Sequence, residues 1–436
     1  MHYSRQPPTK NSVPLSLKRL AATFSIFALA CSHAAPKSPP VSPGGAASIM
    51  PGASIGPDSA NPDIVKMVSN LDLEKYKATV KGLTQFGDRR QGTDRNRAAV
   101  DWIEAQLKSY GCTPTERITY DFQPPPPRGP RPPMDSAARA RAEMFNAGGA
   151  RNRGVRTPTG VNTDSAKQPD AKLRALNTPQ SVAGQRQEVY CTKVGTVHPD
   201  EMYIVGGHMD GIGWGEAAND DGSGTALVME VARVFSMPGV QTDRSIRFIL
   251  WNNEETGLDG ARAYVAQRQA LQGIESPKGS GKYPEPKWLG MIQHDMMMFD
   301  HGMPRPDGTM SPEQRPEADV NIEFQSKSKY AAEAEKLAWA FANANDLYAT
   351  DYPAQVGRHM TNTDSSPFMD IIPAISLREN ERGAQIGNGW DPQWHQPTDL
   401  YSTYNDKDFR LGLNAAQTTL SAVATLAGAR VAGAGR

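Results

Sequence analysis

From about residue 186 onward the chain alternates short apolar runs with stretches of helical periodicity, and that rhythm limits the folds open to it. Met202 to Val205 is a compact apolar run of the kind a buried strand needs. Gly222 to Phe235 repeats apolar residues at Leu227, Val228, Val231, Val234 and Phe235, which a single helix face brings together. Ser245 to Trp251 alternates like a strand, and Leu258 to Leu271 returns to the helical period. Further strands are predicted at Leu289 to Gln293 and Ile371 to Leu377, and further helices at about 329–346 and 407–430. Strands that alternate with helices build an α/β fold, a mostly parallel central sheet flanked by helices on both faces. Ligands bind such sheets beyond the carboxyl ends of the strands.

Ahead of that region, residues 64–110 read as helical, with a patterned segment at Ala98, Trp102, Ile103, Leu107 and Tyr110. Glu116 to Phe122 reads as a strand. Then comes a proline-rich run from Pro124 to Pro133 and a long Ala/Arg/Asn/Gly stretch. No sustained apolar periodicity survives from about 123 to 185, so this segment is predicted to be an irregular, partly disordered insertion. The expected organisation is a single domain over residues 63–432 that carries this insertion. A chain of 436 residues can bury a core of that size.

The N-terminus predicts export. Lys18 and Arg19 precede the apolar run Leu20 to Ala30, so residues 1–31 follow the pattern of a secretory signal. The run falls short of the roughly 20 apolar residues that span a bilayer, and no later run approaches that length. Cleavage between Ala30 and Ala35 gives a periplasmic or secreted protein, whereas lipidation at Cys31 gives a membrane-anchored lipoprotein. Residues 32–62 are rich in Pro, Gly, Ser and Ala and read as a tether. In an oxidising compartment Cys112 and Cys191 can pair as a disulfide; two buried free thiols are the alternative. Basic and acidic residues balance, 47 against 47, which leaves no basic excess for nucleic acid.

The chemistry-bearing residues gather where such a fold places its ligands. The first strand of the α/β region runs into Gly206-Gly207-His208-Met209-Asp210, and the next loop holds Asn219-Asp220-Asp221-Gly222 before a helix opens. The strand ending at Trp251 delivers Asn252-Asn253-Glu254-Glu255, the following one His294-Asp295, and a late Gly/Pro-rich loop His395-Gln396-Pro397-Thr398-Asp399. Imidazole and carboxylate together suit zinc, and a bridging carboxylate lets one site hold two ions. Such a centre also needs a carboxylate outside the ligand set to move protons. Adjacent Glu254 and Glu255 can divide those two tasks. Each piece alone has a plainer reading: a polar loop histidine, a solvated glutamate pair, a turn with a helix cap. Those plainer readings hold for His198, His294, His301 and His359.

The series GGHMD, AANDDGSG, NNEETGL, HD and HQPTD resembles the M28 metallopeptidases, a family of aminopeptidases with co-catalytic zinc. The resemblance covers about residues 64–120 and 186–430. It implies two zinc ions per chain, with His208 and Asp295 on one, Glu255 and His395 on the other, and Asp220 bridging. It implies Glu254 as general base, and Asp210 and Asp399 as outer carboxylates that orient ligating histidines. It also implies a cis peptide between Asp220 and Asp221. One departure stands out: Thr363-Asp364-Ser365-Ser366-Pro367-Phe368 carries Ser365 where many members read histidine.

The implied reaction is hydrolysis of a peptide bond by metal-bound hydroxide, with removal of N-terminal residues as the first reading. The same scaffold also hosts carboxypeptidases and glutaminyl cyclases, and a non-catalytic binding domain is the rival of another class. Cyclases use a single zinc and a different loop, whereas this chain keeps the two-metal pattern and lacks none of its residues. Carboxypeptidases need a cation for the terminal carboxylate, for which Arg378 and Arg382 are candidates; Glu379 and Glu381 are candidates for holding a free amine.

Overall fold

The computed structural model describes residues 59–124, 165, 170–176, 182–212, 215–300, 319–379, 391 and 393–432. The predicted signal, the tether up to residue 58, Cys31, most of the insertion, His301, Glu381 and Arg382 lie outside them. Helices α1 (Pro62–Val68), α2 (Leu73–Thr84) and α3 (Asp94–Ser109) lead into strand β1 (Thr115–Phe122). After α4 (Ala171–Leu176) come β2 (Gly184–Lys193), β3 (His198–His208), α5 (Gly222–Phe235), β4 (Val240–Gln241) and β5 (Arg244–Trp251). Next are α6 (Asp259–Arg268), β6 (Lys287–His294), β7 (Val320–Phe324), α7 (Ala331–Tyr348) and β8 (Ala354–Gly357). The series ends with β9 (Ala374–Arg378), α8 (Asp406–Ala427) and β10 (Arg430–Val431).

Eight strands form one sheet in the order β1-β2-β5-β3-β6-β9-β7-β8, the α/β architecture expected. The centre is parallel, β5 with β3, β3 with β6 and β6 with β9, as is the β7–β8 pair. The β1–β2, β2–β5 and β9–β7 pairs are antiparallel. Both faces are covered, so β5 is buried on both sides from Ser245 to Trp251. Its Ile246, Phe248 and Leu250 enter one core with Val205, Ile292, Val228 and Leu420. Its Ile249 and Trp251 enter the opposite core with Tyr190, Tyr264 and Phe368. Each such side chain contributes about 1.5–3 kcal/mol on burial.

Helix ends follow local chemistry. Asp221 caps α5 by accepting the Gly224 N–H at 2.8 Å. Asn405 and Asp408 form a capping box on α8, and Gly428 ends that helix in the left-handed region at φ 66°. A disulfide joins Cys112, in the turn between α3 and β1, to Cys191 on β2. No described helix is long and apolar enough to cross a membrane.

The structure departs from the sequence reading at several boundaries. Strand β2 starts at Gly184, inside the predicted insertion, and α4 lies there too. Strands β7 and β8 escaped notice because they are short and carry Asn321, Glu323 and Gln355 among their apolar residues. Strand β9 starts only at Ala374, after Ile371 and Ile372 in a turn, because Pro373 has no N–H for the ladder. Helix α6 ends at Arg268, and Gln269–Leu271 continue as a single 3-10 turn.

Candidate metal centre

Parallel register gathers the site. His208 at the end of β3 lies opposite Trp251 of β5, and Gly207 lies opposite His294 of β6. The residues that follow, Glu254 and Glu255 after β5 and Asp295 after β6, therefore emerge together at the carboxyl ends of the central strands. Helix α5 packs close against β3 there. A side chain on Gly207 would begin 2.8 Å from the Gly224 carbonyl carbon, so only glycine allows the approach. The peptide between Asp220 and Asp221 is cis.

Asp220 stands between two histidines: its Oδ1 is 3.2 Å from His208 Nε2 and its Oδ2 is 2.8 Å from His395 Nε2. Glu255 Oε2 lies 3.1 Å from His395 Nε2, and Asp295 Oδ1 lies 3.9 Å from His208 Nε2. Donor atoms of Asp220, Glu255 and His395 fall within 4.8 Å of one another, as do those of His208, Glu254 and Asp295. All six residues singled out for the metals and the proton transfer are thus brought together. A pocket beside them is lined by Asp88, Ile212, Ala217, Gln396 and Asp399 as well as Asp220, Glu255 and His395.

The outer carboxylates act differently from the expectation. His208 Nδ1 donates to the main-chain carbonyl of Asp210 at 3.0 Å, while the Asp210 carboxylate is 3.8 Å away. That carboxylate accepts the Glu254 N–H at 3.1 Å. The turn after β3 brings the carbonyl, rather than the side chain, under the ring. Asp399 likewise holds main chain: it accepts the Asn219 N–H at 2.8 Å, the Asp220 N–H at 3.1 Å and the Tyr404 hydroxyl at 3.0 Å. It steadies the carboxylate between the histidines.

Two supporting residues were missed as such. Asp221, expected as a helix cap and in the cis peptide but not as a support of the site, accepts the His208 N–H at 2.9 Å and the Met296 N–H at 3.1 Å besides capping α5. Arg89, fully buried, donates to the carbonyls of Met209 at 2.7 Å, Glu216 at 2.9 Å and Ala217 at 2.8 Å. The Asp221 role was legible in its N-cap position before a helix. Arg89 sits 120 residues from its partner Met209, and no local pattern signals that contact.

Arg378 and Glu379 are not free to meet a substrate. Arg378 is 2% exposed and its Nη2 donates to Asp295 Oδ2. Glu379 is fully buried and accepts from Asn219 Nδ2 and from the Met298 and Phe299 N–H groups. Ser365 is fully buried too. His294 is buried between the Gly206 carbonyl at 3.0 Å and the Thr419 hydroxyl at 2.7 Å, the structural place expected for it.

The electrostatics ask for positive charge. Burial raises Asp220, but hydrogen bonds from His208 and His395 outweigh it and hold the carboxyl well below its ordinary value. Burial lowers His395, yet the Glu255 charge and the Asp220 hydrogen bond raise it to about 10. Burial pushes Asp210 and Asp399 up to about 7. Burial also raises Glu254 well above its ordinary value; His208 opposes this, while the charges of Glu255, Asp295 and Asp364 add to it. Glu255 Oε1 is buried with no hydrogen-bond partner. Two imidazoles and three carboxylates, one of them with an orphaned oxygen, form a donor set that fits zinc.

The model of peptidase family M28 matches residues 189–418, more than half of the chain. Aminopeptidase YwaD of Bacillus subtilis is 34% identical over 114 residues, which are 26% of this chain and 23% of that protein. Carboxypeptidase Q of Xenopus laevis is 32% identical over 93 residues, 21% of this chain and 19% of its own length. The matches thus span less than a quarter of these relatives' lengths. The solved aminopeptidase from Aneurinibacillus sp. strain AM-1 shares the fold, with a TM-score of 0.51 at 21% identity over 84% of this chain and 96% of that one. The chain belongs to peptidase family M28.

Proposed function

We propose that this protein is an exported aminopeptidase that holds two zinc ions. One observation carries the reading: Asp220 offers one oxygen toward His208 at 3.2 Å and the other toward His395 at 2.8 Å. His208 and Asp295 would hold one ion, Glu255 and His395 the other, with Asp220 shared. Bound there, zinc would supply Lewis acidity, lowering the pKa of a water and polarising a substrate carbonyl.

The protein's own residues do the rest. Glu254 accepts the proton of the attacking water and returns it to the leaving amine. Its carboxylate reaches the same cluster as His208 and Asp295, within 4.8 Å of their donor atoms. Asp210 fixes the Glu254 main chain, and Asp399 fixes that of Asp220. Arg378, through Asp295, offsets part of the buried negative charge.

The carboxypeptidase reading has support from the carboxypeptidase Q relative. Against it, Arg378 is buried against Asp295 and unavailable to a terminal carboxylate, while the second candidate, Arg382, lies outside the described residues. Mass spectrometry of one peptide, incubated with the zinc-loaded protein in free and N-acetylated forms, separates the two. Stepwise loss from the N-terminus of the free form alone supports the aminopeptidase; loss of C-terminal residues from both forms contradicts it.

A further inference from the structure

The loop that bears Glu254 and Glu255 is held from behind by residues outside the family match. Asn96 of α3 and Asn252 exchange side-chain hydrogen bonds: Asn252 Nδ2 donates to Asn96 Oδ1 at 2.9 Å, and Asn96 Nδ2 donates to Asn252 Oδ1 at 3.1 Å. Asn96 Nδ2 also donates to the Arg89 carbonyl at 2.8 Å. Tyr120 of β1 donates its hydroxyl to Asn253 Oδ1 at 2.9 Å, with the Asn252 carbonyl at 3.0 Å. Asn252 and Asn253 are fully buried, Asn96 is 2% exposed and Tyr120 8%. Burial raises the Tyr120 hydroxyl well above its ordinary pKa, so it remains a donor.

Asn253 occupies the left-handed region at φ 64°, which asparagine tolerates better than most residues. Its side chain is fixed at both ends, since Nδ2 donates to Thr256 Oγ1 at 3.1 Å. A change in its backbone would swing Glu254 and Glu255, the next two residues, together. The disulfide at Cys112, between Asn96 and Tyr120 in the chain, ties their segment to β2.

We propose that Tyr120 is a positioning residue: its hydroxyl, backed by the Asn96–Asn252 pair, fixes Asn253 and so aims Glu254 and Glu255 into the metal centre. It touches no reacting atom. The inference rests on the proposed function for its kinetic readout only.

Tyr120→Phe keeps the ring in the core and removes the hydroxyl. Tyr190→Phe is the control, because that hydroxyl lies in the same core but bonds Glu116 at 2.7 Å instead of the loop. At saturating zinc, Tyr120→Phe is expected to lower kcat about ten- to a hundredfold with KM within about twofold, the scale of a misplaced catalytic group. Tyr190→Phe is expected to keep kcat within about twofold. In competition with a chelator, Tyr120→Phe should hold zinc about tenfold more weakly than Tyr190→Phe, as loss of an outer support does. Wild-type kcat in Tyr120→Phe, or equal falls in both variants, overturns the proposal. If the wild type cleaves no peptide, the functional reading fails and the zinc competition alone decides: equal retention in both variants overturns the positioning role.

Discussion

Arg378 and Asp295 form a buried ion pair at the edge of the candidate metal centre, with side chains 2% and 4% exposed. The guanidinium holds Asp295 Oδ2, which leaves Oδ1 on the side of His208. Burial works against the Asp295 charge, but Arg378 and His208 prevail and keep its pKa below the ordinary value.

Removing that cation strands a buried carboxylate. Arg378→Met is expected to cost about 3–5 kcal/mol of stability, read from urea unfolding. A variant of normal stability whose only defect is weaker binding of peptides with free C-termini would instead make Arg378 a substrate clamp.

The approach of β3 to α5 depends on a missing side chain. In Gly207→Ala the new methyl would meet the Gly224 carbonyl carbon at 2.8 Å and its oxygen at 3.0 Å, both of them backbone. We expect a loss of about 1–3 kcal/mol together with weaker zinc retention, because His208 is the next residue. Thermal unfolding and metal analysis of the same preparation check both.

Much of this arrangement was legible in the sequence, and the reason is local. His208, Asp220, Glu255 and Asp295 each sit beside a strand or helix end whose own pattern is strong, and α5 was read to its observed limits. The supports were not legible. Asp399 binds main-chain groups about 180 residues away, and Arg89 grips carbonyls more than 100 residues off. Such bonds leave no spacing to read. Asp210 shows the complementary failure: its carboxylate was expected to orient the histidine, but its carbonyl holds the histidine and its carboxylate holds Glu254.

The Cys112–Cys191 link spans 79 residues of sequence and closes a loop around the insertion. Replacing both cysteines by serine is expected to lower stability by about 2–4 kcal/mol, the usual range for such a cross-link. Denaturant midpoints of the two proteins under non-reducing conditions measure it; equal midpoints would remove the link from the account.

Glu254 should be separable from the metals. Glu254→Ala is expected to retain zinc while turnover falls about 10²–10⁴-fold, the range for a general acid–base group. Near-normal turnover in this variant would remove Glu254 from proton transfer.

The central claim is that Asp220 is shared by two ions, and zinc counted per chain tests it most directly. Elemental analysis of the zinc-saturated wild type beside Asp220→Ala should give two ions for the first and fewer than two for the second, with activity lost. Two ions still bound to Asp220→Ala, or only one to the wild type, would contradict it.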